Sequence, residues 1–214
     1  MKRAKPRVPE AVDGAAAPGR APMQQRSRDR VERLLTVAAS LIAERGSEAL
    51  KMSELADRAG VSIGSLYQYF PDKGAVIRTL AQRYNAQSRV CIAAALVPVR
   101  DTAGLRRAFA GLIDTYYQMF LAEPVMRDIW SGIQADKALQ EIERTDSHAN
   151  GALLADAMAR VRPRADRATL ENTAFLVMQL GEATMRLAVS VDRRQGDALV
   201  AGYKRMVLRE IAPG

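Results

Sequence analysis

The side chains best suited to binding another molecule lie in one short stretch of the chain. They are polar or aromatic and close together in sequence: Ser62, Ser65, Tyr67, Gln68, Tyr69 and Lys73. Gly64 stands among them, and a glycine lets the backbone approach a phosphate or a base edge closely. A face kept merely soluble would carry Lys and Glu, so the sequence predicts a contact surface here.

The chain offers little for catalysis or metal binding. Cys91 and His148 are its single cysteine and its single histidine, too few for a Cys/His metal site of about four ligands. The sequence contains no glycine-rich phosphate loop and no nucleophile elbow. Carboxylate chemistry is left open but has no positive signal. We predict a protein that is not an enzyme, has no metal and no cofactor, and occupies a reducing, cytoplasmic compartment.

Composition favours a helical protein without a membrane span. Of 214 residues, 48% are hydrophobic and 5% aromatic, and Ala, Leu, Val and Met, which favour helices, dominate the hydrophobic share. The longest charge-free apolar runs, 90–99 and 172–181, have 10 residues each, whereas a membrane-spanning helix needs about 20. The predicted fold class is all-α, and no membrane partner is expected.

The charge points to an anionic partner without identifying it. The net charge is +8, and residues 1–25 hold five basic and two acidic residues. Those residues include four prolines and few large apolar side chains, so we predict a disordered basic arm. On charge alone, a solubilising surface and nucleic-acid binding are equally good interpretations.

Residues 26–74 are predicted to form a three-helix domain. Apolar residues recur at three- and four-residue spacing from Val31 to Ile42, which predicts an amphipathic helix from an N-cap at Ser27 to Arg45, with Gly46 as its C-cap. Two shorter helices are predicted at 52–59 and 63–69, separated by a turn at 60–62. Two short helices around a glycine-containing turn form a helix-turn-helix unit.

A long helix is predicted to lead out of this domain. Asp72 can cap a helix that begins at Lys73, and its apolar spacing continues towards Pro98. Beyond Arg100 the apolar spacing stays helical and is interrupted at prolines and glycine. The further helices are predicted at 102–121, 124–134, 137–161, 165–191 and 197–211.

The segment from Glu54 to Lys73, ELADRAGVSIGSLYQYFPDK, closely resembles the DNA-binding domain of the TetR family of bacterial transcription regulators, and the resemblance covers 28–74. It implies a recognition helix that enters the major groove. The residues placed in the groove are Ile63, Gly64, Ser65 and Gln68. Those placed against the sugar-phosphate backbone are Ser62, Tyr67, Tyr69 and Lys73, with Tyr69 able to reach a base.

The sequence departs from the family pattern at two positions. Many relatives carry a small hydroxyl residue before the second helix, where this chain has Leu50 and Lys51, so the ammonium of Lys51 is expected to replace a hydroxyl contact with phosphate. Many also carry lysine at the position of Ile63, which can instead touch a thymine methyl. The operator preference is therefore expected to differ. The basic arm either reaches the minor groove or does nothing measurable.

For residues 75–214 the resemblance implies a helical domain that binds a small effector and forms a homodimer. Large, adaptable side chains and one carboxylate are the candidates for the effector pocket: Tyr116, Phe120, Met126, Trp130, Phe175, Met178 and Glu182. The expected effector is hydrophobic or aromatic, and a cationic one is compatible with this set.

The helix around 170–191 is apolar on two faces, so one face is expected to meet a partner subunit. The candidates for the dimer interface are Val177, Gly181, Thr184, Ala188, Tyr203 and Met206. The alternative is that both faces are buried in a monomer core.

Together these observations predict a ligand-responsive regulator that binds a near-palindromic double-stranded DNA operator as a homodimer. We expect it to act as a repressor, and we expect a small effector to release it by moving the helix that begins at Lys73. The alternative interpretation is a sequence-independent basic DNA-binding protein, which would show no preference among DNA sequences.

Overall fold

The computed structural model describes residues 20–131 and 136–213, and all the regular structure in those residues is helical. The nine helices in the described ranges are α1 Arg20–Arg45, α2 Met52–Ala59, α3 Ile63–Tyr67, α4 Lys73–Leu96, α5 Thr102–Ala122, α6 Pro124–Ser131, α7 Lys137–Val161, α8 Arg167–Ser190 and α9 Arg193–Ile211. None of them is long and apolar enough to span a bilayer. The all-α prediction is confirmed.

The first helix begins earlier than the sequence predicted. It starts at Arg20, so Ser27 lies inside the helix and is not its N-cap. Pro22 falls in the first turn, where a missing N–H costs nothing, and the glutamines that follow are good helix formers. Residues 1–19, the greater part of the predicted arm, lie outside the described residues.

The predicted turns of the N-terminal domain are confirmed. Gly46 and Gly60 end α1 and α2 with φ of 82° and 66°, a left-handed conformation that glycine adopts without strain. The Ser62 hydroxyl accepts a hydrogen bond from the Ser65 backbone N–H at 3.1 Å, and the Asp72 carboxylate accepts one from Ala75 at 2.6 Å. These caps fix where α3 and α4 begin.

The three N-terminal helices close around a small apolar core. Leu34, Leu55 and Leu66 contribute one side chain from each helix, and all three are fully buried. Val76 and Leu80 on α4 are buried in the same core, so α4 is anchored in this domain before it runs on to the C-terminal one. The N-terminal helix-turn-helix domain and the C-terminal helical domain are therefore joined by one long helix, as the sequence predicted.

In the C-terminal domain the closest helix contacts depend on small residues. A Cβ atom on Gly151 of α7 would lie 3.2 Å from the backbone of Phe175 on α8. A Cβ atom on Gly196 of α9 would lie 2.3 Å from the carbonyl oxygen of Ala188, so that position admits only glycine. These contacts bring the backbones of α7, α8 and α9 close together.

Two predicted helix boundaries in this half of the molecule are wrong, and so is one more in the N-terminal half. The break expected at 195–196 lies instead at 191–192, where the Asp192 carboxylate accepts a hydrogen bond from Gln195 and caps α9. Gly196 is thus a packing residue inside α9 and not a helix breaker. Likewise, Asp166 caps α8, which begins at Arg167 and not at residue 165. In the N-terminal half, α3 ends at Tyr67, two residues earlier than predicted.

Candidate nucleic-acid interface and effector cavity

The recognition helix α3 presents its polar and aromatic residues to solvent. Ile63 is 44% and Tyr67 50% exposed, and Ser62 and Gln68 are also exposed. The position where a Cβ of Gly64 would lie has open space around it. Leu66 and Phe70 are buried beneath them and hold the helix on the domain core. The short helix therefore offers an open, convex surface that fits the size of a major groove.

Tyr69 and Lys73 are placed less freely than the sequence suggested. The Tyr69 ring packs against the domain core, and its hydroxyl accepts a hydrogen bond from Ser27 on α1 at 3.5 Å. The Lys73 ammonium donates to the backbone carbonyl of Glu48 at 3.1 Å and faces the Glu48 carboxylate at 3.7 Å. Both side chains are thus held by contacts within the domain, and their DNA contacts stay a prediction.

Several arginines near this surface are engaged in ion pairs within the domain. Arg58 on α2 pairs with Glu44 at 2.8 Å, and Arg45 pairs with Glu54 at 3.0 Å, so α1 and α2 are tied together. The hydrogen bond from Arg58 lowers the pKa of Glu44 below its ordinary value. Lys51 is exposed at the start of α2, and its side chain makes no capping bond there.

Three arginines on the first half of α1 form a basic surface. Arg26, Arg28 and Arg30 are exposed on the first turns of α1. The contact between Ser27 and Tyr69 brings these turns next to the recognition helix. The helix-forming residues from Met23 to Arg26, which follow a proline that a first turn tolerates, are the signal for the early start of α1.

A cavity of about 80 Å³ lies in the C-terminal domain. It is formed by α4, α5, α7 and α8, and Tyr203 reaches it from α9. Its apolar wall is made by Ile92, Phe109, Leu112, Ile113, Met119, Met178 and Met185. Its polar residues include Ser88, Tyr116, Asp146, Ser147, Asn150 and Glu182. The exposed residues Cys91 and Thr115 also line it, so the cavity is open to solvent at that side.

The structure brings only some of the predicted pocket residues to this cavity. Tyr116, Met178 and Glu182 line it. Phe120 and Met126 do not line it and are buried elsewhere in the core. Trp130 and Phe175 also lie outside the cavity.

Trp130 does not line the cavity. It is buried in the core, with its ring edge-on to Tyr84 at a centroid distance of 6.4 Å. Phe175 stacks on His148 at 3.8 Å, outside the cavity. Sequence reasoning also missed Asp146 and Asn150 on α7, because nothing in their local spacing marks them as facing Glu182 on the next helix.

Glu182 is held in the cavity by a tyrosine. The Tyr116 hydroxyl lies 2.8 and 2.9 Å from the two carboxylate oxygens of Glu182 and donates to them. The pKa of Glu182 is raised to about 7: burial is the main cause and the neighbouring carboxylates of Glu143 and Asp146 add to it, while Tyr116 and Arg186 oppose the rise. Burial and Glu182 together raise the pKa of Tyr116 well above its ordinary value.

The other two acidic residues near Glu182 are each paired with an arginine. Glu143 accepts a hydrogen bond from Arg186 at 2.6 Å. Asp146 is bonded to Arg89 of α4, and it also accepts from the Asn150 side-chain amide at 2.8 Å. Burial raises the pKa of Asp146 although Arg89 and Asn150 oppose that shift. The Arg89–Asp146 pair therefore ties a cavity residue to the helix that leaves the DNA-binding domain.

The predicted dimer interface needs correction. Val177, Ala188 and Tyr203 are buried within the chain, where the Tyr203 hydroxyl donates to the Val177 carbonyl at 2.7 Å. Gly181 packs against the same hydroxyl, which would lie 2.9 Å from a Cβ at that position. This strip packs α8 against α9 within the chain, so it is not free to form an interface with a partner subunit. The prediction therefore assigned the wrong apolar face of α8 to the partner.

The apolar side chains that α8 leaves exposed lie on the opposite strip. Leu176, Leu180 and Leu187 are 56%, 41% and 50% exposed, and their spacing places them on one face of the helix. Met206 of α9 is 62% exposed. Of the predicted interface residues, Met206 is exposed and Gly181 and Thr184 are half-buried, whereas the other three are buried in the chain.

A helix-turn-helix domain joined by one helix to an all-helical domain with a partly apolar cavity defines a class of DNA-binding transcription regulator. Residues 34–80 match the family model described as "Bacterial regulatory proteins, tetR family", and residues 75–213 match "Tetracyclin repressor-like, C-terminal domain". The chain belongs to the TetR family. It is a DNA-binding transcription regulator and not an enzyme.

Two curated relatives match different lengths of the chain. The HTH-type transcriptional repressor KstR of Mycobacterium tuberculosis is 44% identical over 46 residues, which span 22% of this chain and 21% of that protein. The chain thus spans about a fifth of the length of this repressor. The HTH-type transcriptional regulator BetI of Cronobacter sakazakii is 28% identical over 138 residues, 63% of this chain and 68% of that one.

Solved structures share the whole fold. A TetR-family transcriptional regulator from Streptomyces coelicolor superposes with a TM-score of 0.64 and 26% identity, covering 86% of this chain and 96% of that one. The regulator RolR, solved in complex with the ligand resorcinol, superposes with a TM-score of 0.62 and 23% identity, covering 89% and 96%. The similarity to RolR concerns the fold alone.

Proposed function

We propose that the protein is a homodimeric repressor that binds a near-palindromic operator and is released by a small effector. The observation that carries this proposal is the exposed face of α3, where Ile63, Tyr67 and Gln68 stand clear of a buried anchor at Leu66. Exposed tyrosine and isoleucine cost solubility and are explained by contacts with a groove and its backbone. The expected groove contacts are Ile63, Gly64, Ser65 and Gln68.

The remaining operator contacts are assigned to phosphates. Lys51, Ser62, Tyr67 and Tyr69 are expected to meet the DNA backbone together with Lys73. Lys73 already faces the exposed carboxylate of Glu48, and an exposed ion pair is held weakly enough to be exchanged for a phosphate. The exposed arginines on the first turns of α1 extend the same basic surface.

The exposed strip of α8 supports dimerisation. Leu176, Leu180 and Leu187, with Met206 of α9, present large apolar side chains to solvent on a helix whose other face is already buried. A second copy would cover both strips by a two-fold arrangement that pairs α8 and α9 with their counterparts. Two recognition helices about one turn of DNA apart would then meet the two halves of an operator.

The cavity supports an effector site. It combines a largely apolar wall with a few polar groups, as small-molecule sites do. RolR, which shares this fold, was solved with the small aromatic ligand resorcinol. The Arg89–Asp146 pair offers a route to the DNA, because a ligand that disturbs Asp146 also disturbs the hold of α7 on α4.

The proposal is tested by fluorescence anisotropy on DNA from upstream of the protein's own gene, at about 0.15 M salt with excess unrelated competitor. We expect saturable, competitor-resistant binding with two protomers per site. Tyr67→Ala removes a backbone contact and Gln68→Ala a groove contact from each half-site. Each variant should weaken operator binding by about 30-fold or more, because a contact worth about 1 to 3 kcal/mol is lost twice.

Gln118→Ala is the matched control, since Gln118 is also an exposed glutamine but lies on α5, outside the DNA-binding domain. It should bind the operator like the wild type. Equal affinity for every DNA sequence would contradict the proposal and favour a sequence-independent basic DNA-binding protein. Wild-type affinity in both Tyr67→Ala and Gln68→Ala would contradict the assignment of α3.

A further inference from the structure

The polar wall of the cavity includes three side chains whose oxygens accept hydrogen bonds, beside the hydroxyl residues Ser88, Tyr116 and Ser147. The carboxylates of Glu182 and Asp146 line it, as does Asn150, which is 5% exposed. The Asn150 amide nitrogen is engaged with Asp146, which leaves the side-chain oxygen, and this buried oxygen has no hydrogen-bond partner in the described structure. A buried acceptor without a donor costs free energy, so the wall is arranged to receive a donor.

The cavity also carries an uncompensated negative charge. Glu143 and Asp146 are each neutralised by an arginine, Arg186 and Arg89. Among the described residues Glu182 forms no ion pair, and its carboxylate is held by the neutral hydroxyl of Tyr116. When Glu182 is ionised, this part of the protein has three carboxylates against two guanidinium groups. One positive charge is missing.

We propose that the cavity binds a small organic cation, a protonated amine on a compact apolar body, with its ammonium group held by Glu182, Asp146 and the Asn150 side-chain oxygen. This inference rests on the proposed function, since it names the chemical class of the effector. An ammonium group has donors for all three acceptors and supplies the missing charge. Met178, Met185 and Phe109 surround the apolar body, and the open side at Cys91 and Thr115 admits it.

The cation has a direct path to the DNA-binding domain. Its ammonium group competes with Arg89 for Asp146, and Arg89 lies on α4, which begins at Lys73 beside the recognition helix. The Arg89 Nε atom is buried and has no partner in the described structure, so this guanidinium is incompletely held even before a ligand enters. Binding of a cation would loosen the bond between α7 and α4.

The experiment is isothermal titration calorimetry of the full chain with three ammonium probes and their alcohols. The pairs are 3-methylbutylammonium and 3-methylbutanol, benzylammonium and benzyl alcohol, and 2-phenylethylammonium and 2-phenylethanol, with benzoate as the anion. We expect at least one ammonium probe to bind about tenfold or more tightly than its alcohol at pH 8. Failure of all three to exceed their alcohols, or tighter binding of benzoate, would overturn the proposal.

Glu182→Gln keeps the shape of the side chain and removes its charge, so it should abolish the preference for ammonium over alcohol. Glu210→Gln is the matched control on the exposed face of α9 and should keep the preference. Persistence of the preference in Glu182→Gln would overturn the assignment. Thermal unfolding of both variants shows whether they are folded.

The pH profile of the wild type tests the proposal without any variant. The groups that act on Glu182 are Tyr116 of α5, Glu143 and Asp146 of α7, Arg186 of α8, Tyr203 of α9 and, through Asp146, Arg89 of α4. With the pKa of Glu182 near 7, the ionised fraction rises about tenfold between pH 6 and pH 8. Affinity for the ammonium probe should rise by the same factor and affinity for the alcohol should not, whereas a flat ammonium profile would contradict the role of Glu182.

Failure of this inference is distinguishable from failure of the proposed function. The same protein preparation is tested for operator binding by anisotropy. Specific operator binding without any preference for ammonium overturns the effector class alone. Ammonium binding without specific DNA binding overturns the regulator and leaves the cavity chemistry standing.

Discussion

The DNA-binding surface and the effector cavity, which α4 connects, differ in how far their charged groups are exposed to water. At the N-terminal end of α4, Lys73 is exposed and shares its charge with Glu48, which is itself in water. Further along, Arg89 and Asp146 form a partly buried pair beside Glu182, whose carboxylate has been removed from most of its water. An exposed charge changes partners at little cost, whereas a buried charge demands a partner.

That difference separates two kinds of recognition. The recognition surface gains affinity from many exposed contacts that salt can screen, as expected for binding to a phosphate backbone. The cavity has one buried carboxyl group whose protonation changes near neutral pH, so a single ligand charge has a large effect there. The DNA-binding half is thus expected to be sensitive to salt, and the effector half to pH.

The largest effect on stability should come from a substitution that disturbs helix packing in the effector half alone. Gly196→Ala places a Cβ atom 2.3 Å from the Ala188 carbonyl oxygen and 2.9 Å from the Tyr117 hydroxyl, so α9 must move away from α8. We expect a loss of about 3 kcal/mol in the free energy of unfolding, measured by urea denaturation. The core around α3 is untouched by this change.

Gly111→Ala is the matched control, because Gly111 lies inside α5 with open space around it. It should stabilise the protein by about 0.5 to 1 kcal/mol through helix propensity. A similar loss in both glycine variants would mean that the close approach of α8 and α9 is not the cause.

A smaller effect on stability should come from Glu182, and it should depend on pH. Because the folded-state pKa of Glu182 is raised to about 7, the folded protein keeps a proton that the unfolded chain releases near pH 4.5. The contribution of this group to stability is full below pH 4.5 and is lost as pH rises to 7. At pH 8 the free energy of unfolding of Glu182→Gln should therefore be about 1 to 3 kcal/mol higher than that of the wild type, so the variant is more stable there. At pH 4 the two should not differ.

The measurement is urea denaturation across that pH range, with Glu210→Gln as the exposed counterpart. Glu210→Gln should follow the wild type at every pH. A Glu182→Gln variant whose stability runs parallel to the wild type from pH 4 to pH 8 would show that the carboxyl group is not perturbed by burial.

The smallest effect should come from the cap of the recognition helix. Ser62→Ala removes the bond from the Ser65 backbone N–H at 3.1 Å, and should cost about 1 kcal/mol in the free energy of unfolding. Operator affinity should fall as well, because α3 begins at this bond. Ser53→Ala, at an exposed serine in the first turn of α2, should change stability by less than about 0.5 kcal/mol. Equal losses in the two variants would argue against a specific cap at Ser62.

Local signals in the sequence were enough for four of the helix limits in the N-terminal domain. Gly46, Gly60, Ser62 and Asp72 each specify a backbone conformation or a hydrogen bond within four residues, and the helix limits at those positions were predicted correctly. The start of α1 was predicted wrongly because prolines near 18–22 were interpreted as disorder, although Pro22 is compatible with the first turn of a helix.

The sequence by itself determined the helical class, the order of the helices, the recognition segment and the family, because each of these depends on local periodicity or on consecutive residues. Tertiary structure alone decided which face of α8 is buried, that Gly196 packs inside α9, and that Asp146 and Asn150 face Glu182. Those facts depend on how helices far apart in sequence cross one another, and an amphipathic pattern does not state which apolar face meets which neighbour.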